Sequence, residues 1–266
     1  MTPQDHAIAA ADLLLAETSG EQIGLLSVRH PEMGMDDAYA VQNAIFRAKL
    51  EAGQRVIGWK IGLTSKAMQY ALNIDIPDSG ILFDDMLFET GATVPKGRFI
   101  QPRIEAEIAF VMKAPLGGAD VSRADVIAAT DYVTPSLEIL DTRILRADPE
   151  TGQTRSVFDT ISDNAANAGI VLGRERHAVE AHDLRWVGAI TSRNGEVEET
   201  GLGAGVLNDP VESVVWLARR MAQYGQSIAP GQVILSGSFI RPIECPSGSE
   251  IHADFGAFGR VDIRFD

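Results

Sequence analysis

Arg103-Ile-Glu-Ala-Glu-Ile-Ala-Phe-Val111 is the stretch on which the reading of this chain turns. Apolar and polar residues alternate with period two, the pattern of a strand with two unlike faces. Ile104, Ala106, Ile108 and Phe110 fall on one face, and Glu105 and Glu107 on the other. Their Cα atoms are then about 7 Å apart along the strand. Two carboxylates buried there without partners would repel, and a hard divalent cation would resolve the conflict, because it prefers oxygen ligands. On the alternation alone, a strand with one solvated face is the commoner explanation. A second stretch shifts the balance. Tyr132-Val-Thr-Pro-Ser-Leu-Glu-Ile-Leu140 reads as a largely apolar strand with Glu138 near its end, and an acid among aliphatic neighbours needs a partner. A third carboxylate at a shared cation and a salt bridge to Arg143 or Arg103 both answer that need.

Outward from these strands, short β segments dominate from about Pro77 onward. Gly80–Phe83, Gly169–Leu172, Val187–Arg193, Gln232–Ser236 and Arg260–Phe265 are separated by Gly, Pro, Asn and Asp turns. Helices are expected near 122–129 and at 210–224, the latter with Val214, Leu217, Ala218 and Met221 as an apolar stripe. Upstream the pattern is helical. Ile8, Ala11 and Leu15 recur at helical spacing, and a second helix follows Met35-Asp36-Asp37, with Val41, Ala44, Ile45 and Ala48 on one face and Gly53 as its stop. Arg55 to Leu63 reads as a strand with glycine breaks, and Thr64-Ser65 as a cap for a helix from Lys66. The expectation is an α+β protein: a helical N-terminal region over residues 1–75 and a β-rich catalytic domain over 76–266. No GxGxxG joins a strand to a helix, which disfavours a dinucleotide site.

Bulk properties exclude several classes. The 266 residues carry a formal net charge of −14, with a pI near 4.8, which argues against nucleic-acid or anionic-membrane partners. Cys245 is the single cysteine, so an intrachain disulfide and a thiolate-rich metal site are both excluded. No apolar run approaches the roughly 20 residues that span a bilayer, and the N-terminal segment is helical rather than signal-like. A soluble, cytoplasmic protein is expected. The five histidines show no HxH or HxxxH spacing, which disfavours zinc, and no GxSxG marks a serine hydrolase. Lys60, between Gly58 and Gly62 in an apolar strand, has two readings. Drawn inward it serves as a base or a carboxylate anchor; otherwise it snorkels to solvent, as lysines at strand ends commonly do.

Gly58-Trp-Lys-Ile-Gly-Leu-Thr-Ser65, Pro102-Arg-Ile-Glu-Ala-Glu107 and Phe158-Asp-Thr-Ile-Ser-Asp-Asn-Ala-Ala-Asn-Ala-Gly169 resemble the hydratase and decarboxylase branch of the fumarylacetoacetate hydrolase superfamily. The likeness runs from about Glu21 to Phe265. It implies that fold, a homo-oligomer, and action on 2-hydroxydienoates or 2-oxo-enoates in the breakdown of aromatic compounds. It further implies Mg²⁺ (or Mn²⁺) on Glu105, Glu107 and Glu138, with Lys60 and Asp78 moving protons. A small 2-oxo dicarboxylate is the implied substrate. In Gly237-Ser-Phe-Ile-Arg-Pro242, Ser238 is a candidate substrate-binding residue, and Arg241 has two readings: a guanidinium that binds the distal carboxylate with two parallel hydrogen bonds, or a surface arginine before a proline. Hydration of 2-hydroxypenta-2,4-dienoate and decarboxylation of 4-oxalocrotonate are the alternatives within the branch, and a catalytically silent partner subunit is the alternative outside it. Two positions depart from the pattern: Ser79 stands where an aromatic is usual, and Ile240 where a polar residue is.

Overall fold

The computed structural model describes residues 1–66, 69–70 and 76–266; the body of the helix expected from Lys66 lies outside the described residues. Six helices are described: α1 (Pro3–Ser19), α2 (Leu26–Arg29), α3 (Met35–Glu51), α4 (Arg123–Ala129), α5 (Val157–Ser162) and α6 (Pro210–Ala222). The strands are β1 (Val56–Gly62), β2 (Asp78–Phe83), β3 (Leu87–Glu89), β4 (Thr93–Val94), β5 (Arg103–Met112), β6 (Thr130–Leu140) and β7 (Asn167–Leu172). They continue with β8 (Gly188–Arg193), β9 (Glu196–Leu202), β10 (Val233–Leu235), β11 (Ile243–Glu244), β12 (Glu250–Asp254) and β13 (Arg260–Phe265). Among the described residues these form a larger sheet, ordered β2-β1-β10-β5-β6-β7-β3 with β11 on the end of β5, and a smaller one, β4-β13-β12-β8-β9.

α1 begins on a reciprocal cap, in which Asp5 N donates to Thr2 Oγ1 while Thr2 N donates to the Asp5 carboxylate, and Gly20 ends it at φ +75°. Its buried face corrects the expected stripe. Ala9, Ala10, Leu13 and Ala16 are covered, whereas Ile8 is 49% and Leu15 65% exposed. The helix is apolar almost all round from Ala7 to Leu15, so spacing alone did not choose a face. The alanine side let α1 pack against α3 and the segment around Ile144. The helix α3 follows the expected pattern, with Val41 and Ile45 buried.

β1 lies before residue 75 in the chain, on the helical side of the expected division, yet it is hydrogen-bonded between β2 and β10 in the larger sheet. The two faces of β5 set the layout of the body. Ile104, Ala106, Ile108 and Phe110 are fully buried against α6 and the inner face of the smaller sheet. On the opposite face Ala109 joins Leu82, Ile170, Val233 and Leu235 in an apolar floor. Glu105 and Glu107 stand further along that same face. No helix among the described residues is long and apolar enough to cross a membrane.

Candidate metal centre

Glu105 and Glu138 are direct partners in the β5–β6 ladder, and Glu107 is opposite Ser136. This register brings one carboxylate oxygen from each of Glu105, Glu107 and Glu138 within 4.8 Å of the others. Glu107 and Glu138 are fully buried and Glu105 is partly exposed, so this face of β5 is not the solvated side of a half-wet strand. Arg143 and Arg103, the alternative partners for Glu138, are engaged with Asp163 and Glu244.

The cation that does approach is Lys60. It is 4% exposed, with Nζ 3.4 Å from Glu138 Oε1, so it turns inward rather than snorkelling. Asp78 opens β2 opposite Gly62. A side chain at Gly62 would collide with Asp78 Oδ1 and reach 3.0 Å from Lys60 Nζ, so only glycine leaves both groups facing one space. Gly237, at φ +117°, is required in a similar way. Its N–H donates to Glu107 Oε2 at 2.7 Å, and a Cβ there would run into Thr64. Sequence reading missed this backbone donor.

Four acids thus face a single ammonium group in a largely buried site. Burial, then Glu138, pushes Glu105 up to about 8. Burial likewise raises Asp78, Glu107 and Glu138 above the ordinary carboxylate range. For Lys60 burial acts downward, but Glu138, Asp78, Glu105 and Glu107 together outweigh it and hold the ammonium charged. Hydrogen bonding does not settle the acids. Asp78 Oδ1, Glu107 Oε1 and both oxygens of Glu138 are buried without a hydrogen-bond partner. Carboxylate oxygens converging from Glu105, Glu107 and Glu138, those of Glu107 and Glu138 left orphaned, fit a hard divalent cation, with part of its coordination left for water or substrate.

The other expected site residues have partners outside the carboxylate cluster. Arg241 is 82% exposed at its side chain and pairs with Glu199 Oε1 at 2.6 Å. Ser238 Oγ donates to Ile240 O and accepts from Ile240 N, closing its own turn. Ile240 is buried in the main core, so an apolar residue suits that position. Ser79 borders a cleft with Tyr39, Trp59, Arg220 and Tyr224. Histidines at 177 and 182, without metal-ligand spacing, pair with each other at 3.2 Å, and His177 stacks on Phe258.

No protein-family model matches the chain. It is 49% identical over 260 residues to 2-oxo-hept-4-ene-1,7-dioate hydratase of Escherichia coli, covering 98% of this chain and 97% of that one. It is 40% identical over 266 residues to 2-keto-4-pentenoate hydratase of Paraburkholderia xenovorans (strain LB400), covering 100% and 97%. Its fold superposes at a TM-score of 0.93, with 34% identity and coverage of 100% and 99%, on 4-oxalocrotonate decarboxylase from Pseudomonas putida G7 complexed with magnesium and adipate. With the carboxylate cluster and these full-length likenesses in hand, the chain belongs to the family of 2-oxo-hept-4-ene-1,7-dioate hydratase, 2-keto-4-pentenoate hydratase and 4-oxalocrotonate decarboxylase, and it has the fold of fumarylacetoacetate hydrolase family proteins.

Proposed function

We propose that this protein is a metal-dependent hydro-lyase that adds water to 2-oxo-hept-4-ene-1,7-dioate, giving 4-hydroxy-2-oxo-heptane-1,7-dioate in the homoprotocatechuate route of aromatic breakdown. The observation that carries the reading is the convergence of Glu105, Glu107 and Glu138, with orphaned buried oxygens on Glu107 and Glu138, beside Lys60 and Asp78. The E. coli relative's name supplies the substrate.

Glu105, Glu107 and Glu138 would hold Mg²⁺. The ion supplies Lewis-acid stabilisation of negative charge on the substrate's 2-oxo oxygen. Lys60 and Asp78 carry the proton traffic. One proton leaves C3 and one reaches C5, which brings the double bond into conjugation with the 2-oxo group. Water then adds its oxygen at C4 and a proton at C3. The apolar floor of Leu82, Ala109, Ile170 and Leu235 keeps bulk water from one end of the site. The remaining carboxylate is assigned to Arg241, which must leave Glu199 to receive it, with Ser238 beside it.

A panel of 2-oxo-enoates, read by ultraviolet absorbance with and without chelator, tests the proposal. Chelator-sensitive hydration of the seven-carbon dicarboxylate is expected. Carbon dioxide release from 4-oxalocrotonate without hydration would instead favour the decarboxylase reading, which the 0.93 TM-score likeness motivates. Arg241→Ala should weaken the dicarboxylate far more than 2-hydroxypenta-2,4-dienoate; equal losses on both would remove it from the distal position.

A further inference from the structure

β2, which carries Asp78, is an edge strand among the described residues, with β1 on one side and no described strand on the other. An edge leaves alternate N–H and C=O groups without ladder partners. Here side-chain amides occupy those positions. Asn164 Oδ1 accepts from Ile81 N at 2.8 Å, and Asn164 Nδ2 donates to Ile81 O at 2.9 Å. One side chain thereby makes the two-bond exchange that a residue of a neighbouring antiparallel strand would make. Closer to Asp78, Gln42 Nε2 from α3 donates to Ser79 O at 2.9 Å and to Ile161 O at 3.1 Å. The Asn164 carbonyl oxygen lies 2.6 Å from where a Cβ on Gly80 would stand, so Gly80 is what admits the turn this close.

The turn that presents Asn164 is itself held under strain. Asn164, Ala165 and Ala166 have φ of +51°, +53° and +59°, a left-handed run that disfavours alanine. Buried Arg143 spans it. Its Nε donates to Asp163 Oδ1, its Nη2 to Asp163 O at 2.6 Å, and Nη1 and Nη2 both reach Asn167 O at 3.2 Å. The Ala166 carbonyl accepts from Asp141 N at 2.9 Å. The amide of Asn164 is therefore aimed by a rigid frame rather than by a free loop.

We propose that Asn164, aided by Gln42, is a positioning residue for Asp78: its amide stands in for a missing strand and fixes where β2 presents the Asp78 carboxylate relative to Lys60. The inference rests on the reading of Asp78 as a proton-transfer group. The β1–β2 ladder pairs Lys60 with Gly80 and Gly62 with Asp78, so a tilt or slide of β2 alters the Lys60–Asp78 relation directly.

The test uses the full chain loaded with Mg²⁺ and four variants: Asn164→Gly, Asn164→Asp, Gln42→Leu and Asp78→Asn. Asn164→Gly suits the positive φ and removes only the amide. A kcat loss of about tenfold or more is expected for it, since misplacement by about 1 Å costs up to about a hundredfold. The KM and the affinity for Mn²⁺ alone, followed by electron paramagnetic resonance, should stay within about twofold, because a positioning loss acts on the chemical step. Asn164→Asp keeps the acceptor for Ile81 N but sets an oxygen against Ile81 O, and should not restore kcat. Gln42→Leu should lose less, and carries the same test should Asn164→Gly fail to fold. In the Asp78→Asn background, Asn164→Gly should add no more than about twofold, because nothing remains to be positioned. Wild-type kcat in folded, metal-loaded Asn164→Gly would overturn the proposal, as would losses that multiply in the double variant. Full activity of Asp78→Asn alone would remove the role of Asp78 itself, and the two failures are thus told apart.

Discussion

Arg143 with Asp163, and Lys60 with Glu138, are equally deep ion pairs, all four residues being 5% exposed or less. Their polar atoms end in different states. Arg143 spends its donors on Asp163 and on the carbonyls of Asp163 and Asn167, while both Asp163 oxygens accept from Arg143. Lys60 meets Glu138 at 3.4 Å, and neither Glu138 oxygen has a hydrogen bond. A buried pair closed within the chain is framework, since its desolvation is offset locally. A buried acid cluster left open is a site whose electrostatics await a ligand. The proximity of the two, one framing the turn that reaches β2 and the other facing β2, joins scaffold to chemistry.

The largest expected effect breaks the open cluster. Glu138→Gln should lower turnover by about a thousandfold or more, as loss of a metal ligand removes the charge stabilisation on which the chemistry depends. The fold should be retained, and the metal-free variant should melt no lower than the metal-free parent, because four buried acids share one ammonium group and Lys60 keeps Asp78, Glu105 and Glu107 beside it when Glu138 is neutralised. A steep drop in melting temperature would make Glu138 framework instead.

Breaking the closed pair should do the reverse. Arg143→Met leaves Asp163 buried and unpaired, and should cost about 3–5 kcal/mol in urea denaturation. A variant of parental stability would show that Arg143 does not hold the turn.

Next in size is a pH effect specific to the open cluster. Glu105 is raised to about 8 from an ordinary 4.5, with burial as the main cause. The folded chain then keeps a proton that the unfolded chain releases, so metal-free stability is fully present below about 4.5 and is lost as pH rises toward about 8. Mg²⁺ binding requires the ionised acids, so its stabilising effect should grow over the same interval. Melting temperatures at both ends, with and without chelator, measure this; a chelated protein that gains stability toward pH 8 would contradict it. The smallest effect has the opposite sign. Asp37, lowered to about 2 from 3.8 by His6 and then by the Gly34 N–H, contributes stability above its ordinary value that is lost as pH falls through about 2. Asp37→Asn should therefore matter by no more than about 1 kcal/mol at neutral pH and by nothing in strong acid.

The open cluster was partly legible in the sequence because a strand's period of two exposes shared faces. Glu105 and Glu107 could be paired from their spacing alone. That Glu138 faces Glu105 depends on the β5–β6 register, which local pattern does not encode. The closed pair was far less legible. Arg143 appeared only as a possible partner of Glu138, and nothing in Ala165 or Ala166 announces a left-handed turn, since alanine takes that conformation only under tertiary constraint. The short helices α2 and α5 escaped because a single turn carries too little periodicity to read. Arg241 illustrates the same limit, because its partner Glu199 comes from β9, a separate element. The buried face of α1 was misassigned for another reason: several faces of that helix are apolar, and packing against α3 made the choice.

The central claim, that Glu105, Glu107 and Glu138 hold the ion on which turnover depends, is tested most directly by calorimetric titration of Mg²⁺ into chelator-stripped protein. The parent chain and Glu138→Gln should be compared, with turnover measured on the same samples and Asp37→Asn as the control. The account predicts one Mg²⁺ site per chain in the parent and the control, and no measurable site or turnover in Glu138→Gln. Parent-like Mg²⁺ binding together with parent-like turnover in Glu138→Gln would contradict it.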